Sequence, residues 1–266
     1  MRTPQPLTIM VTLLIAFIYA PLLVAVLFAF NKGSGLTLPF EGVSLRWFML
    51  LAEDPSFRRS ISNSAIVAIA TAALATCIGA SAAYVFVRHR TRMIQGLEAL
   101  SQIPVMLPPL LIGVALLTTI GAFQLSLSLA TVLLGHLVTV VPYVIVIVLA
   151  RMRGVDVALE EAARDLGAGA QETIRRIVLP LLVPALLGSA ILAFAFSFDE
   201  TLVTTFTAGS EPTLPLFVMS RMRRTIDPSV NAVATILLMI PWVALILGGL
   251  GLSRSLHSVW KLRKDR

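Results

Sequence analysis

Charged side chains along this chain are gathered into short clusters, and between the clusters lie apolar runs long enough to cross a lipid bilayer. A hydrocarbon core about 30 Å thick takes roughly 20 helical residues. Leu7 to Phe30 is the first such run. It is longer than the apolar segment of a cleavable signal peptide and passes into Asn31 and Lys32 without a small-residue cleavage site, so it reads as a retained span. The second run, Ser60 to Val87, is rich in Ala, Gly and Ser, and Ala75, Gly79 and Ala83 recur four apart, the spacing that lets helices approach closely in lipid. No Asp, Glu, Lys or Arg occurs from Ala99 to Ala150, a length that makes two spans joined by a short turn near Gly121 to Leu125. Two further runs follow, the first of them interrupted by a pair of carboxylates. The pattern predicts an all-α integral membrane protein with a single membrane domain over 1–266. Its six transmembrane helices fall at about 7–30, 60–87, 99–121, 126–150, 182–207 and 229–253, with a cytoplasmic loop at 151–181. Pro108, Pro109, Pro142 and Pro241 fall inside spans and are tolerated where neighbouring helices satisfy the freed carbonyls.

Composition agrees with lipid as the solvent: 57% of residues are hydrophobic and 13% charged, too few polar groups to coat a soluble globule of 266 residues. The net charge of +7 would suit a nucleic-acid partner if the basic residues formed one face, but they sit between spans. Fourteen of the 21 Lys and Arg fall on the side that carries both termini if Met1 is inside: Arg2, Arg88 to Arg92, Arg151 to Arg176 and the tail from Arg254 to Arg266. That excess puts both termini in the cytoplasm, although the outer cluster Arg221, Arg223 and Arg224 runs against it. The single cysteine, Cys77, excludes a disulfide framework and reads as a small packing residue. His89 reads as a loop residue and His257 as a tail residue. His136, inside span four, reads as a hydrogen-bonded packing residue, with a proton carrier as the alternative. No lysine follows a glycine, so the chain has no phosphate-cradling Gly-Lys loop, and no catalytic or metal-ligand spacing is visible; an enzyme is not expected here.

The loop after span four has the pattern helix, break, helix. Asp156 is placed to cap a first helix through Leu166, with Glu160 and Arg164 at i,i+4 and Gly167 to end it. A second helix is predicted from Gln171, with Glu172 and Arg176 paired, ending before Pro180. The run Glu161-Ala162-Ala163, three residues, Gly167, nine residues, then Ile177-Val178-Leu179-Pro180 resembles in full the EAA loop of the permease subunits of binding-protein-dependent ABC importers. The resemblance implies the type I importer permease fold, with Glu161, Ala162, Ala163, Gly167, Ile177, Leu179 and Pro180 in coupling helices that dock on a cytoplasmic ATPase. It also implies a second permease subunit, two ATPase copies that bind the ATP and Mg, and a periplasmic solute-binding protein, all at the bacterial inner membrane.

Span five carries Ser197, Phe198, Asp199 and Glu200. Carboxylates at membrane depth are costly enough to mark function. From Pro184 they lie roughly 22–24 Å along a helix at 1.5 Å per residue, toward the outer face. In an unbroken helix Glu200 shares a face with Ser197, Thr201 and Thr204, and Asp199 points almost the other way. No Lys or Arg in the spans neutralises them, so a cationic solute or a basic group of a partner supplies the missing charge; pairing with Arg221, Arg223 or Arg224 at the outer interface is the competing reading. Those arginines are otherwise candidates for docking the binding protein. The run Ser197 to Thr205, then Thr213-Leu214-Pro215 and Pro228 to Leu238, resembles the second permease subunit of spermidine/putrescine importers. The likeness extends from His136 to Leu238 and holds in the first third only as span layout. Asp199-Glu200 stands where that subfamily has consecutive aspartates. The expectation is therefore alternating-access transport of a polyamine, with an opine or aminophosphonate importer as the alternative. A proton-coupled secondary carrier, using His136 with the two carboxylates, is a third reading.

Overall fold

The computed structural model describes residues 5–35, 40–224 and 228–264, with side chains from 6 to 250 within those ranges. Arg2 and the tail charges from Arg254 to Arg266, used above for orientation, lie outside the described side chains, as does His257. Among the described residues every regular element is helical, and the secondary structure follows the apolar runs closely.

Helix α1 (Gln5–Ala29) is apolar all round, with no residue of its apolar window buried inside the chain, as expected of a helix whose neighbours are lipid or another subunit. A short α2 (Arg46–Glu53) leads into α3 (Pro55–Arg88). Asp54 starts α3: its carboxylate accepts from the amides of Ser56 at 2.8 Å and Phe57 at 3.3 Å, and Pro55 occupies the first turn, where no amide is missed.

Span three is not the continuous helix that its apolar run suggests. It consists of α4 (Arg92–Ser101), α5 (Ile103–Met106) and α6 (Pro109–Ala122), and the chain turns by 107° between the last two. The cause is Pro108-Pro109. A residue before proline is pushed out of the α region, so Leu107 and Pro108 are both extended, with ψ of 139° and 132°. Among the described residues five helices are individually long and apolar enough to cross a membrane, and this bent segment, taken as one span, makes a sixth.

Helix α7 (Leu129–Arg153) keeps its course through Pro142. It packs against α3 at the small-residue stripe: Ala75, Gly79 and Ala83 are all buried, and a Cβ at Gly79 would lie 2.6 Å from Val144 Cγ1. Cys77, two residues from Gly79, is exposed on the opposite face, so it is not the packing residue the apolar context suggested.

The loop helix α8 (Val157–Asp165) is followed by α9 (Ala170–Thr173), a π-helical turn at Ile174–Val178, and α10 (Leu179–Asp199). These last three run on as one rod from Ala170, so the second loop helix does not end before Pro180. The π turn explains why: the amide of Leu179 bonds Ile174 O, five residues back, and the widened turn receives Pro180, which has no amide to place. Short α11 (Leu202–Thr207) and α12 (Leu214–Arg224) precede α13 (Pro228–Lys264), which runs beside α1 and α10. One apolar cluster joins α3, α7 and α10 around Val144, Val148 and Leu182. A second, around Trp47, Phe57, Phe198 and Phe217, ties α2, α3, α10, α12 and α13 together at the other end of the bundle.

Candidate functional site

Between the two broken helices lies a pocket of about 640 Å³. Leu107 and Pro109 border it from the bend of span three, Thr139 and Tyr143 from α7, Phe196, Asp199 and Glu200 from the end of α10, and Leu238 and Trp242 from α13. Its lining includes no Lys, Arg or His. The two carboxylates are therefore the charges of the pocket, and they are framed by three aromatic rings, of which Tyr143 and Phe196 meet edge to face at 5.1 Å.

The geometry at the carboxylates departs from a regular helix. Asp199 is the last residue of α10 and Glu200 is extended, with ψ of 115°. The 100° rule that separated the two side chains does not apply across this break, and both line the pocket. Glu200 Oε1 also accepts from the amide of Val203 at 3.0 Å, which caps α11.

Ser197 and Thr204, predicted on the face of Glu200, are buried and turned away from the pocket. His136 holds both: Nδ1 lies 2.7 Å from Ser197 Oγ and Nε2 lies 2.8 Å from Thr204 Oγ1. The Thr204 hydroxyl donates to Glu200 O at 2.7 Å, so Nε2–H donates to Thr204 and Nδ1 accepts from Ser197. A neutral imidazole satisfies the whole network and fixes the break from behind. Thr201 stands beside it, its hydroxyl donating to Asp199 O at 3.2 Å, and is not part of the lining.

Arg221 does not neutralise these carboxylates. It pairs with Asp54 at 3.2 Å and lies over the Phe217 ring at 5.9 Å. Arg223 and Arg224 are exposed. A second polar cluster at the same end was not anticipated: Arg59 reaches both oxygens of Glu211 at 3.0 Å, and Asn63 donates to Pro212 O at 2.8 Å. Only the folded chain brings positions some 150 apart together in this way.

The loop residues form a compact surface at the other end. Asp156 caps α8 through the amide of Ala158 at 3.0 Å. Gly167, with φ of 85°, ends it: the amide of Gly167 bonds Arg164 O and that of Ala168 bonds Ala163 O, the paired closure that a left-handed glycine permits. Glu161 and Ala162 are exposed and Ala163 is buried. Leu166 is 88% exposed, an apolar side chain at the tip of a polar loop. On the rod that follows, Ile177 is half-buried while Leu179 and Pro180 are exposed. The expected pairs Glu160–Arg164 (3.7 Å) and Glu172–Arg176 (3.2 Å) are both present.

The family described as binding-protein-dependent transport system inner membrane component matches residues 75–255. The spermidine/putrescine transport system permease protein PotC of Escherichia coli (strain K12) is 32% identical over 88% of this chain and 89% of its own length. The putrescine transport system permease protein PotI of the same strain is 33% identical over 88% and 86%. The molybdenum transport system permease protein ModB of Mycobacterium bovis (strain ATCC BAA-935 / AF2122/97) is 30% identical over 88% and 93%. In fold, a chain of a bacterial ABC transporter that imports the acidic polysaccharide alginate superposes with a TM-score of 0.73 over 93% of each chain, at 12% identity.

Proposed function

The chain belongs to the inner-membrane components of binding-protein-dependent transport systems, the non-catalytic permeases of ABC importers, and on that premise we propose that its solute is a small organic cation of the polyamine class. Membership implies an ATPase and a periplasmic binding protein as partners.

The observation that carries the solute reading is the pocket at the two helix breaks. Two carboxylates face a space of about 640 Å³ with no basic side chain in its lining and three aromatic rings around it. Ammonium groups are attracted both by carboxylates and by ring faces. An anion would meet repulsion there. The names of PotC and PotI, which both specify polyamines, point the same way, whereas ModB, at similar identity, is named for molybdenum transport. The carboxylate pair favours the polyamine reading.

The mechanism in this reading is alternating access. The coupling loop from Glu161 to Pro180 lies on the cytoplasmic side with both termini, and exposed Leu166 with Glu161 and Ala162 fits into the ATPase. ATP and Mg are held by that partner. Closure of two ATPase copies displaces the loop, and the pocket, completed by a second permease subunit, changes its access from one side to the other. Arg223 and Arg224, free of the ion pair that occupies Arg221, serve as the docking charges for the binding protein.

The test is uptake into liposomes that contain the chain with its cognate permease, ATPase and binding protein. ATP-dependent accumulation of labelled spermidine or putrescine, with none of molybdate, is the expected result. ATPase stimulation by the binding protein accompanied by molybdate uptake alone overturns the solute and keeps the importer.

A further inference from the structure

Arg88 is the last residue of α3, and it crosses to the loop helix α8. Its Nε donates to Glu160 Oε1 at 2.7 Å, and its Nη2 pairs with the same oxygen. The Glu160 side chain is 1% exposed and that of Arg88 10%, so the pair is cut off from water. Tyr84, one turn earlier on α3, faces the same carboxylate, and Arg164 lies 3.7 Å from its second oxygen.

What makes this pair stand out is how little else holds α8. Two of its nine residues are buried, Glu160 and Ala163. Val157, Leu159 and Glu161 are exposed, so the helix is not packed into the bundle by an apolar face. An alanine contributes little burial, which leaves the charged pair as the principal side-chain attachment of α8 to a membrane span among the described residues. A buried ion pair is a poor means of adding stability, because desolvation offsets most of the attraction. It does fix distance and direction, through the Nε hydrogen bond and the Nη2 ion-pair contact of one planar guanidinium.

Helix α3 is suited to carry what the pair delivers. It has 34 residues and no proline after its first turn, so it is a continuous rod about 50 Å long. Its far end is also clamped, by Asp54 to Arg221 and by Arg59 to Glu211. We infer that the Arg88–Glu160 pair is the tie through which displacement of the coupling loop is passed to α3 and thence to the pocket; this rests on the loop reading above. Both are positioning residues. Neither touches solute.

The test uses the assembled transporter in liposomes, with Cys77→Ser and a reporter thiol, Ala234→Cys, in the pocket lining. Labelling of this chain by a membrane-impermeant maleimide is compared without nucleotide and with MgATP plus vanadate. The parent is expected to change its labelling rate by at least about fivefold between the two conditions. Arg88→Met with Glu160→Leu removes both charges at similar volume, so assembly and ATP hydrolysis are expected to persist while the labelling change collapses to below about twofold. A full labelling response in this double variant overturns the tie. If the double variant does not co-purify with the ATPase, Glu160→Gln decides instead, since it keeps shape and an acceptor for Arg88. Its response is expected to fall by about half or more, and a full response overturns the inference. A parent without any nucleotide response sinks the importer mechanism itself, an outcome distinct from a responsive parent with a responsive variant.

Discussion

Glu200 is where the side-chain arithmetic of a helix stops, and its own carboxylate takes part in stopping it. By accepting from the amide of Val203 it stabilises the start of α11 at Leu202, two residues beyond the end of α10, while His136 holds Ser197 and Thr204 on either side of the break. The sequence from Phe198 to Leu202 contains neither Pro nor Gly, so nothing local announces the break. It is made by a histidine some 60 residues earlier in the chain. That is why the two carboxylates stood out in the sequence, but their common facing into one pocket did not. His136→Ala removes the shared partner of two buried hydroxyls and leaves a cavity, and is expected to destabilise the protein by about 1–3 kcal/mol. Thermal unfolding of the purified complex reads this, and an unchanged midpoint contradicts it. Cys77 faces away from the bundle, so Cys77→Leu adds volume without a clash inside the chain and is expected to change stability by less than about 0.5 kcal/mol. A loss of about 1–3 kcal/mol in thermal unfolding, as overpacking gives, would return it to a packing role.

Among the elements, the close packing of α3 on α7 was readable, because the recurrence of Ala75, Gly79 and Ala83 is a local signal with a direct physical meaning. Gly79→Leu places a side chain where Val144 already stands, and is expected to cost at least about 1–3 kcal/mol or to abolish assembly. Expression and detergent stability measure it. The bend of span three was also written in the chain, as two adjacent prolines, but a run of apolar residues without charge reads as one helix when only its length is weighed. The same bend supplies Leu107 and Pro109 to the pocket. Pro108→Ala with Pro109→Ala restores the amides that a continuous helix needs. A transporter that still assembles but loses at least about fivefold in uptake is expected, and uptake at the parental rate would show that the break is dispensable. The continuity of α9 with α10 through Pro180 was not legible, since proline rules describe α-helical turns and the π turn before it has a different bonding register.

For the whole molecule, two distant surfaces are arranged around one bundle: an exposed loop with Leu166 at its tip, and a carboxylate pocket between broken helices. The family was legible from the loop because its spacing is a contiguous sequence pattern, whereas the ion pairs Arg88–Glu160, Asp54–Arg221 and Arg59–Glu211 depend on packing between remote segments. Leu166→Glu changes a fully solvated position, so folding is expected to be unaffected while co-purification of the ATPase falls by about tenfold. Undiminished co-purification would place the docking elsewhere. The central claim is that a cation passes Asp199 and Glu200. The direct measurement is ATP-dependent spermidine and putrescine uptake by liposomes carrying Asp199→Asn with Glu200→Gln, alongside hydrolysis of ATP by the same vesicles. A fall of at least about tenfold in uptake with hydrolysis preserved is the predicted result, and uptake equal to that of the unsubstituted transporter contradicts it.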